Sequence, residues 1–168
     1  SLDGGNTWAN VNPPTSAWLY NVHFTSETTG FVTGESGTIL KTTDAGTTWT
    51  LIPAVTTSRL YGVHFTDENN GVIVGWNGTI LRTTDGGDSW SAITTSITAS
   101  LQDVHFMDAN TGFTCGSVIA KTTDGGLTWN TVYSAANNYF YFMNVSANGQ
   151  GYAAGNMGVF VKTTNSGQ

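Results

Sequence analysis

The nonapeptide Lys41-Thr42-Thr43-Asp44-Ala45-Gly46-Thr47-Thr48-Trp49 is polar until its last residue, and the chain writes versions of it repeatedly. Related stretches are SLDGGNTW at 1–8, TTDGGDSW at 83–90, TTDGGLTW at 122–129 and TTNSG at 163–167. Aligned from Thr42, the third residues are Asp3, Asp44, Asp85, Asp124 and Asn165, spaced by 41, 41, 39 and 41. A constant period near 40 residues marks a stacked or circular array of one supersecondary unit. The short step reflects a deletion after Gly116, where the other units carry a further turn residue and a glycine.

The rest of the unit repeats as well. LYNVHF (19–24), LYGVHF (60–65), LQDVHF (101–106) and FYFMNV (140–145) precede the polar turns and are strand-like. In the second unit, residues 66–71 form a turn, 71–75 a short buried strand, and Trp76-Asn77-Gly78 a tight hairpin with an Asn-Gly signal. A third strand over 79–84, the Asp85–Asp88 hairpin and a fourth strand over 89–93 complete four antiparallel strands. That is a β-propeller blade, packed on both faces by its neighbours, so apolar residues need not alternate. Within the polar turn, Asp44 and the threonines bond backbone amides, Gly46 permits the bend, and Trp49 buries its ring between blades. The equivalent sets are Asp3 and Trp8; Asp85, Gly87 and Trp90; and Asp124, Gly126 and Trp129.

The pattern of Thr83-Thr84-Asp85-Gly86-Gly87-Asp88-Ser89-Trp90 resembles the Asp box of BNR-repeat proteins. The whole unit, with V-H-F and G-T-I-L-x-T-T-D-G-G, is similar to the photosystem II stability/assembly-factor type of BNR propeller. The resemblance covers essentially the entire chain. It implies an all-β propeller and little about activity, because the same repeat occurs in sialidases, xyloglucan-type endoglucanases, assembly factors and secreted proteins.

One propeller domain over 1–168 is expected, with repeats at about 13–54, 55–95, 96–133 and 134–168 plus 1–12. The fourth repeat has three strands, and Thr7-Trp8-Ala9-Asn10-Val11 is expected to supply its last. Such pairing closes a four-bladed monomer, the preferred arrangement, or an eight-bladed ring of two strand-exchanging chains. A segment of a longer array is the third arrangement.

Composition narrows the partners. Five Lys+Arg against eleven Asp+Glu give a net charge of −6, which argues against nucleic acid and anionic lipid. No apolar run reaches the roughly 20 residues needed to span a bilayer, so membrane insertion is not expected. The single cysteine, Cys115, allows no internal disulfide and is expected to be an inert core thiol. The family resemblance and the Thr/Asn/Gly-rich, Lys-poor composition point to an extracytoplasmic setting. No metal or cofactor is implied.

Topology sorts the candidate residues. With the first strand descending, interblade connections and second-to-third hairpins lie at the top, whereas first-to-second turns and Asp turns lie at the bottom. Of eleven carboxylates, only Glu35 and Asp103 are left for the top or core, and they are the weak candidates for a glycosidase pair. A sialidase would need three arginines on a substrate carboxylate, and the chain has only Arg59 and Arg82. His23, His64 and His105 recur at one repeat position, where Asn144 stands in the fourth unit. They read as hydrogen-bonded inner-strand residues, each satisfied by a hydroxyl or carbonyl, rather than metal ligands.

Positions that do not repeat are the candidate ligand contacts. They are Trp18, Arg59 and Tyr139 where each inner strand begins, and Glu35, Trp76 and Asn156 in the top hairpins. Aromatic platforms rimmed by Arg, Glu and Asn suit a sugar or a peptide segment. Trp18 and Trp76 are alternatively blade-packing residues. The expectation is a noncatalytic binding or scaffolding propeller with a protein or glycan partner. A glycoside hydrolase using Glu35 and Asp103, or a purely structural repeat of a larger surface protein, are the alternatives.

Overall fold

The computed structural model describes residues 4–134 and 137–167, so the expectation for Asp3 lies outside the described residues. Blade 1 comprises β1 (Leu19–Phe24), β2 (Gly30–Gly34), β3 (Ile39–Thr42) and β4 (Thr50–Leu51). Blade 2 comprises β5 (Leu60–Phe65), β6 (Gly71–Gly75), β7 (Ile80–Thr83) and β8 (Ser91–Ala92). Blade 3 comprises β9 (Leu101–Phe106), β10 (Gly112–Gly116), β11 (Ile119–Thr122) and β12 (Asn130–Tyr133). Blade 4 has β13 (Phe140–Val145), β14 (Gly151–Gly155) and β15 (Phe160–Thr163). Every sheet is an antiparallel meander in chain order, and the inner strands β1, β5, β9 and β13 stack in sequence along the array.

Each inner strand carries a register break near its start, between Leu60 and Gly62 in β5. The bulge offsets the alternation, so Leu60, Val63 and Phe65 are buried while Tyr61 and His64 stay half-buried. The buried set forms the seam with the preceding blade. Phe31 of blade 1 stacks on Phe65 of blade 2 at 4.4 Å, and the Trp90 ring stands edge-on to both at 6.4 and 5.8 Å. Trp129 meets Phe106 the same way at 6.0 Å, with Val72, Val74 and Ile80 of blade 2 in the same cluster. Burial of each such side chain contributes roughly 1.5–3 kcal/mol, so the seams dominate cohesion.

A second device repeats at every seam. The third-strand cation of one blade donates to a carbonyl in the Asp turn of the next: Lys41 Nζ to Gly86 O at 2.7 Å, Arg82 Nε to Gly125 O at 2.8 Å, Lys121 Nζ to Ser166 O at 2.6 Å. Arg82 is thereby a structural residue.

The bottom face is assembled as the topology requires. Asp turns bond the first-to-second turns of their own blades, through Ala45 N to Thr28 O, Gly86 N to Asn69 O, Gly125 N to Asn110 O and Ser166 N to Gly149 O, all between 2.9 and 3.0 Å. Inside the turn, Asp44 Oδ1 accepts Thr48 N at 2.8 Å and Thr42 Oγ1 accepts Gly46 N at 3.0 Å. Trp49 Nε1 closes the loop on Gly46 O at 3.2 Å.

Among the described residues the expected closure is not made. There blade 4 has three strands, β15 pairs with β14 alone, and residues 5–12 are exposed and belong to no strand. Three similar seams leave the ends of the array apart: Val22 on the outer side of blade 1 is 59% exposed and Phe142 on that of blade 4 is 73% exposed. Thr7–Val11 therefore forms no fourth strand beside β15 among the described residues.

Candidate functional site

The top face is set by four close backbone approaches. Glu35, Trp76, Ser117 and Asn156 each donate their amide to the carbonyl that precedes the inner strand, those of Trp18, Arg59, Ser100 and Tyr139, at 2.8–3.0 Å. A Cβ on the preceding Gly34, Gly75, Gly116 or Gly155 would collide with the same carbonyls, so glycine is required there. Consequently the hairpin residue and the inner-strand residue of each blade are held side by side. In blade 2 the hairpin is the Asn-Gly turn expected from sequence, with Asn77 and Gly78 both left-handed at φ 53° and 68°.

These approaches bring Glu35, Arg59 and Trp76 together across the first seam. Arg59 Nε lies 3.3 Å from Glu35 Oε1, and its guanidinium sits 5.9 Å from the Trp76 ring centroid. The hydrogen bond with the Tyr61 hydroxyl, then the neighbouring Tyr20 and Glu35, push the Arg59 pKa up. Trp18, whose carbonyl accepts the Glu35 amide, is 73% exposed. Trp76 is also exposed. On blade 4, Tyr139 and Asn156 form a pair through Tyr139 N to Asn156 Oδ1 at 2.9 Å.

A row of inner-strand residues that sequence reasoning overlooked joins the two groups. Tyr20 and Tyr61 contact at 5.1 Å between ring centroids, Gln102 Nε2 donates to the Tyr139 hydroxyl at 2.6 Å, and Tyr139 meets Tyr141 at 5.4 Å. Tyr20, Tyr61, Gln102 and Tyr141 occupy the second position of the L-Y-x-V-H-F stretch. Their recurrence was the available signal, but aromatic residues in a strand read first as strand formers. Burial followed by the Glu35 charge pushes the Tyr20 phenol up, and burial does the same for Tyr139, so both remain neutral hydrogen-bonding groups at neutral pH.

The remaining candidates have structural partners. The Asp103 carboxylate accepts the amides of Val104 and Met143, each at 2.9 Å, and burial pushes its pKa up. Glu35 is engaged by Arg59. His23, His64 and His105 stack in a column with centroid separations of 5.2 and 5.0 Å. The acceptor expected for the imidazoles is replaced at His23 by a donor, because its Nε2 accepts the Phe65 amide at 3.4 Å. That bond requires a neutral ring, and burial with the neighbouring His105 lowers the His23 pKa. Among the described residues no group of three His, Cys, Asp or Glu side chains converges as a metal site would. Asp67 Oδ1 caps the Asn69 and Asn70 amides at 2.7 and 2.8 Å, an Asx turn.

The repeated blades define a BNR-type propeller, and comparison with known proteins places it further. Residues 3–93 and 88–168 match the family described as Photosynthesis system II assembly factor YCF48, and the chain belongs to that family. Among solved structures it is similar to YCF48 bound to a D1 peptide, with 27% identity and a TM-score of 0.79 over 94% of this chain and 53% of that one. YCF48 from Cyanidioschyzon merolae shares 22% identity and a TM-score of 0.73 over 91% and 55% of the two chains. A GH74 enzyme from Niastella koreensis shares the fold, at 19% identity and a TM-score of 0.71, over 88% of this chain and 29% of that one. The chain thus spans about half the length of the solved YCF48 relatives. No curated protein matches its sequence. Among the described residues no helix is long and apolar enough to cross a membrane.

Proposed function

We propose that this chain is a noncatalytic recognition module whose top face takes an extended protein segment. The observation that carries the reading is the Glu35–Arg59–Trp76 group standing beside the Tyr20–Tyr61 pair, with Gln102, Tyr139 and Tyr141 continuing the row. Such a row offers apolar ring faces for side chains and phenol, amide and guanidinium groups for a peptide backbone. Arg59, paired with Glu35 at 3.3 Å, can exchange it for a carboxylate of the partner. A solved relative in complex with a D1 peptide supports a protein partner. Catalysis by Glu35 and Asp103 is disfavoured because Asp103 is committed to two amides. The reading keeps the extracytoplasmic setting, supported by the Lys-poor composition and tested by fractionating source cells.

A peptide array probed with the folded protein, followed by calorimetric titration of the best binders, tests this. Arg59→Ala with Trp76→Ala is expected to weaken binding at least about tenfold while circular dichroism and melting stay unchanged. Unchanged affinity in the folded double variant rejects the top face. Retention on polysaccharide without cleavage transfers the face to a glycan, and release of reducing sugar abolished by Glu35→Gln establishes an enzyme.

A further inference from the structure

The third-strand cations that bolt the seams are not equivalent. Lys41 spends its ammonium on Gly86 O at 2.7 Å and Asp88 Oδ1 at 2.6 Å, and lies 5.6 Å from the Phe31 ring centroid. Lys121 donates to Ser166 O at 2.6 Å and lies 5.5 Å from the Phe113 ring. Between blades 2 and 3 the cation is Arg82, whose Nε takes the seam carbonyl of Gly125 at 2.8 Å. Its Nη1 and Nη2 have no acceptor among the described residues, and no carboxylate there forms an ion pair with it.

The repeat identifies what this cation lacks. Val72 stands where blades 1 and 3 have Phe31 and Phe113, Leu127 where the preceding Asp turn has Asp88, and Ala109 where the preceding blade has Glu68. The ring, the counter-ion and the neighbouring acid of the first seam are thus all replaced around Arg82. A cavity of about 210 Å³ opens at this place on the bottom face, with Asp67, Val72, Arg82, Asn110 and Asp124 among its walls.

The walls define what fits. Asp67 Oδ2 accepts the Asn70 side chain at 2.9 Å and Asp124 Oδ2 accepts the Thr128 hydroxyl at 2.6 Å, so each of these oxygens keeps acceptor capacity. The Asn110 side-chain amide has no partner among the described residues and offers both a donor and an acceptor. Two carboxylates beside one guanidinium, in a chain of net charge −6, disfavour an anion, and a cation would meet the guanidinium. A hydroxyl accepts from a guanidinium and donates to a carboxylate at once. The volume lies below the roughly 300–1,000 Å³ of sites that take drug-sized molecules, which limits the occupant to one small ring.

We propose that the bottom face binds one neutral monosaccharide unit in this cavity, on the side opposite the top-face row. Its hydroxyls accept from the Arg82 Nη groups and donate to Asp67 and Asp124, while Asn110 fixes its orientation. The ligand supplies the acceptor that Asp88 supplies to Lys41.

Isotope-labelled protein titrated with glucose, galactose, mannose, fucose and N-acetylglucosamine, followed by NMR, tests the site. At least one sugar is expected to shift the Gly125 and Asn110 amides saturably. Arg82→Lys keeps the seam bond, as Lys41 and Lys121 keep theirs, and removes the Nη donors, so melting is expected to stay unchanged while binding weakens at least about tenfold. Ala109→Glu, at an exposed position, restores the Glu68 side chain of the first seam and is expected to abolish binding in a folded protein. Retention on a polysaccharide column that Arg82→Lys abolishes and Arg59→Ala with Trp76→Ala leaves intact assigns the sugar to a glycan chain; shifts with free sugar and no retention assign a free monosaccharide. No saturable shift with any of the five sugars, equal binding in both folded variants, shifts confined to the top face, or acetate and benzoate binding here in place of sugars would each overturn the proposal.

Discussion

The carboxylate of Asp103 accepts the backbone amide of Met143 from the next blade at 2.9 Å. A residue whose type and face nominated it for catalysis is a bolt between β9 and β13. Because the donor is a main-chain N–H that is part-buried, removing the acceptor leaves it unsatisfied. Asp103→Ala is expected to lower stability by about 1–3 kcal/mol in reversible urea unfolding. Asp103→Asn, whose one amide oxygen can replace only one of the two accepting oxygens, should cost an intermediate amount, and an unchanged midpoint in both variants would reject the bolt.

The Asp turns should fail through their threonines first. Thr83 Oγ1 accepts the buried Gly87 amide at 3.0 Å and donates to Asp85 Oδ1 at 2.7 Å. Thr83→Val preserves shape and removes both bonds, so a loss of roughly 1–3 kcal/mol is expected from the stranded amide. Thr83→Ser should recover most of it, which a comparison of denaturation midpoints measures.

Acid sensitivity is expected in two separate limbs. Burial, then the neighbouring His105 and His23, pushes His64 down from 6.5 to about 4. The fold favours the neutral ring, so between these values the unfolded chain binds more protons and stability falls as pH falls from 6.5 towards 4. The loss is roughly 1–3 kcal/mol. His64→Asn, which copies the fourth repeat's Asn144, should diminish this limb and leave the part due to His23, whose pKa is also lowered, when unfolding is followed across that window.

The second limb belongs to the turns. The Thr48 hydroxyl and amide, with the Thr42 hydroxyl, hold Asp44 down from 3.8 to about 2, and Ser89 and Thr83 lower Asp85 likewise. A depressed carboxylate contributes stability above its unfolded value, and that contribution disappears as pH falls through the folded one. His64→Asn should leave this lower limb in place, whereas Asp44→Asn should diminish it.

Cys115 is fully buried, and burial pushes its thiol up. A thiol reagent is therefore expected to label the native protein only at the rate of unfolding and to label denatured protein at once. Rapid labelling under native conditions would mean that the seam between blades 3 and 4 opens.

Much of the fold was legible because each blade is local. The inner strands begin at Leu19, Leu60, Leu101 and Phe140, where the repeated LYNVHF-like stretches begin. The Asp-turn hydrogen bonds join residues two to four apart, so their chemistry is written in one short window. The pairing of Glu35 with Arg59 was less accessible, since it spans 24 residues and depends on adjacent blades bringing a hairpin beside an inner strand. The tyrosine row was hidden differently: its members lie on separate blades, and each alone is an ordinary strand residue.

Sequence by itself determined the period, the four-strand unit, the polar turns and the sorting of loops to two faces, because short-range hydrogen bonding and side-chain size act within a repeat. Only the tertiary structure decided how repeats meet. It committed Asp103 and Arg82 to neighbouring blades, exposed Trp18 while burying Trp90 and Trp129, and among the described residues left β15 without a fourth strand. The physical reason is that closure depends on the accumulated angle of successive seams, a property of side chains packed from different blades and carried by no single stretch of chain.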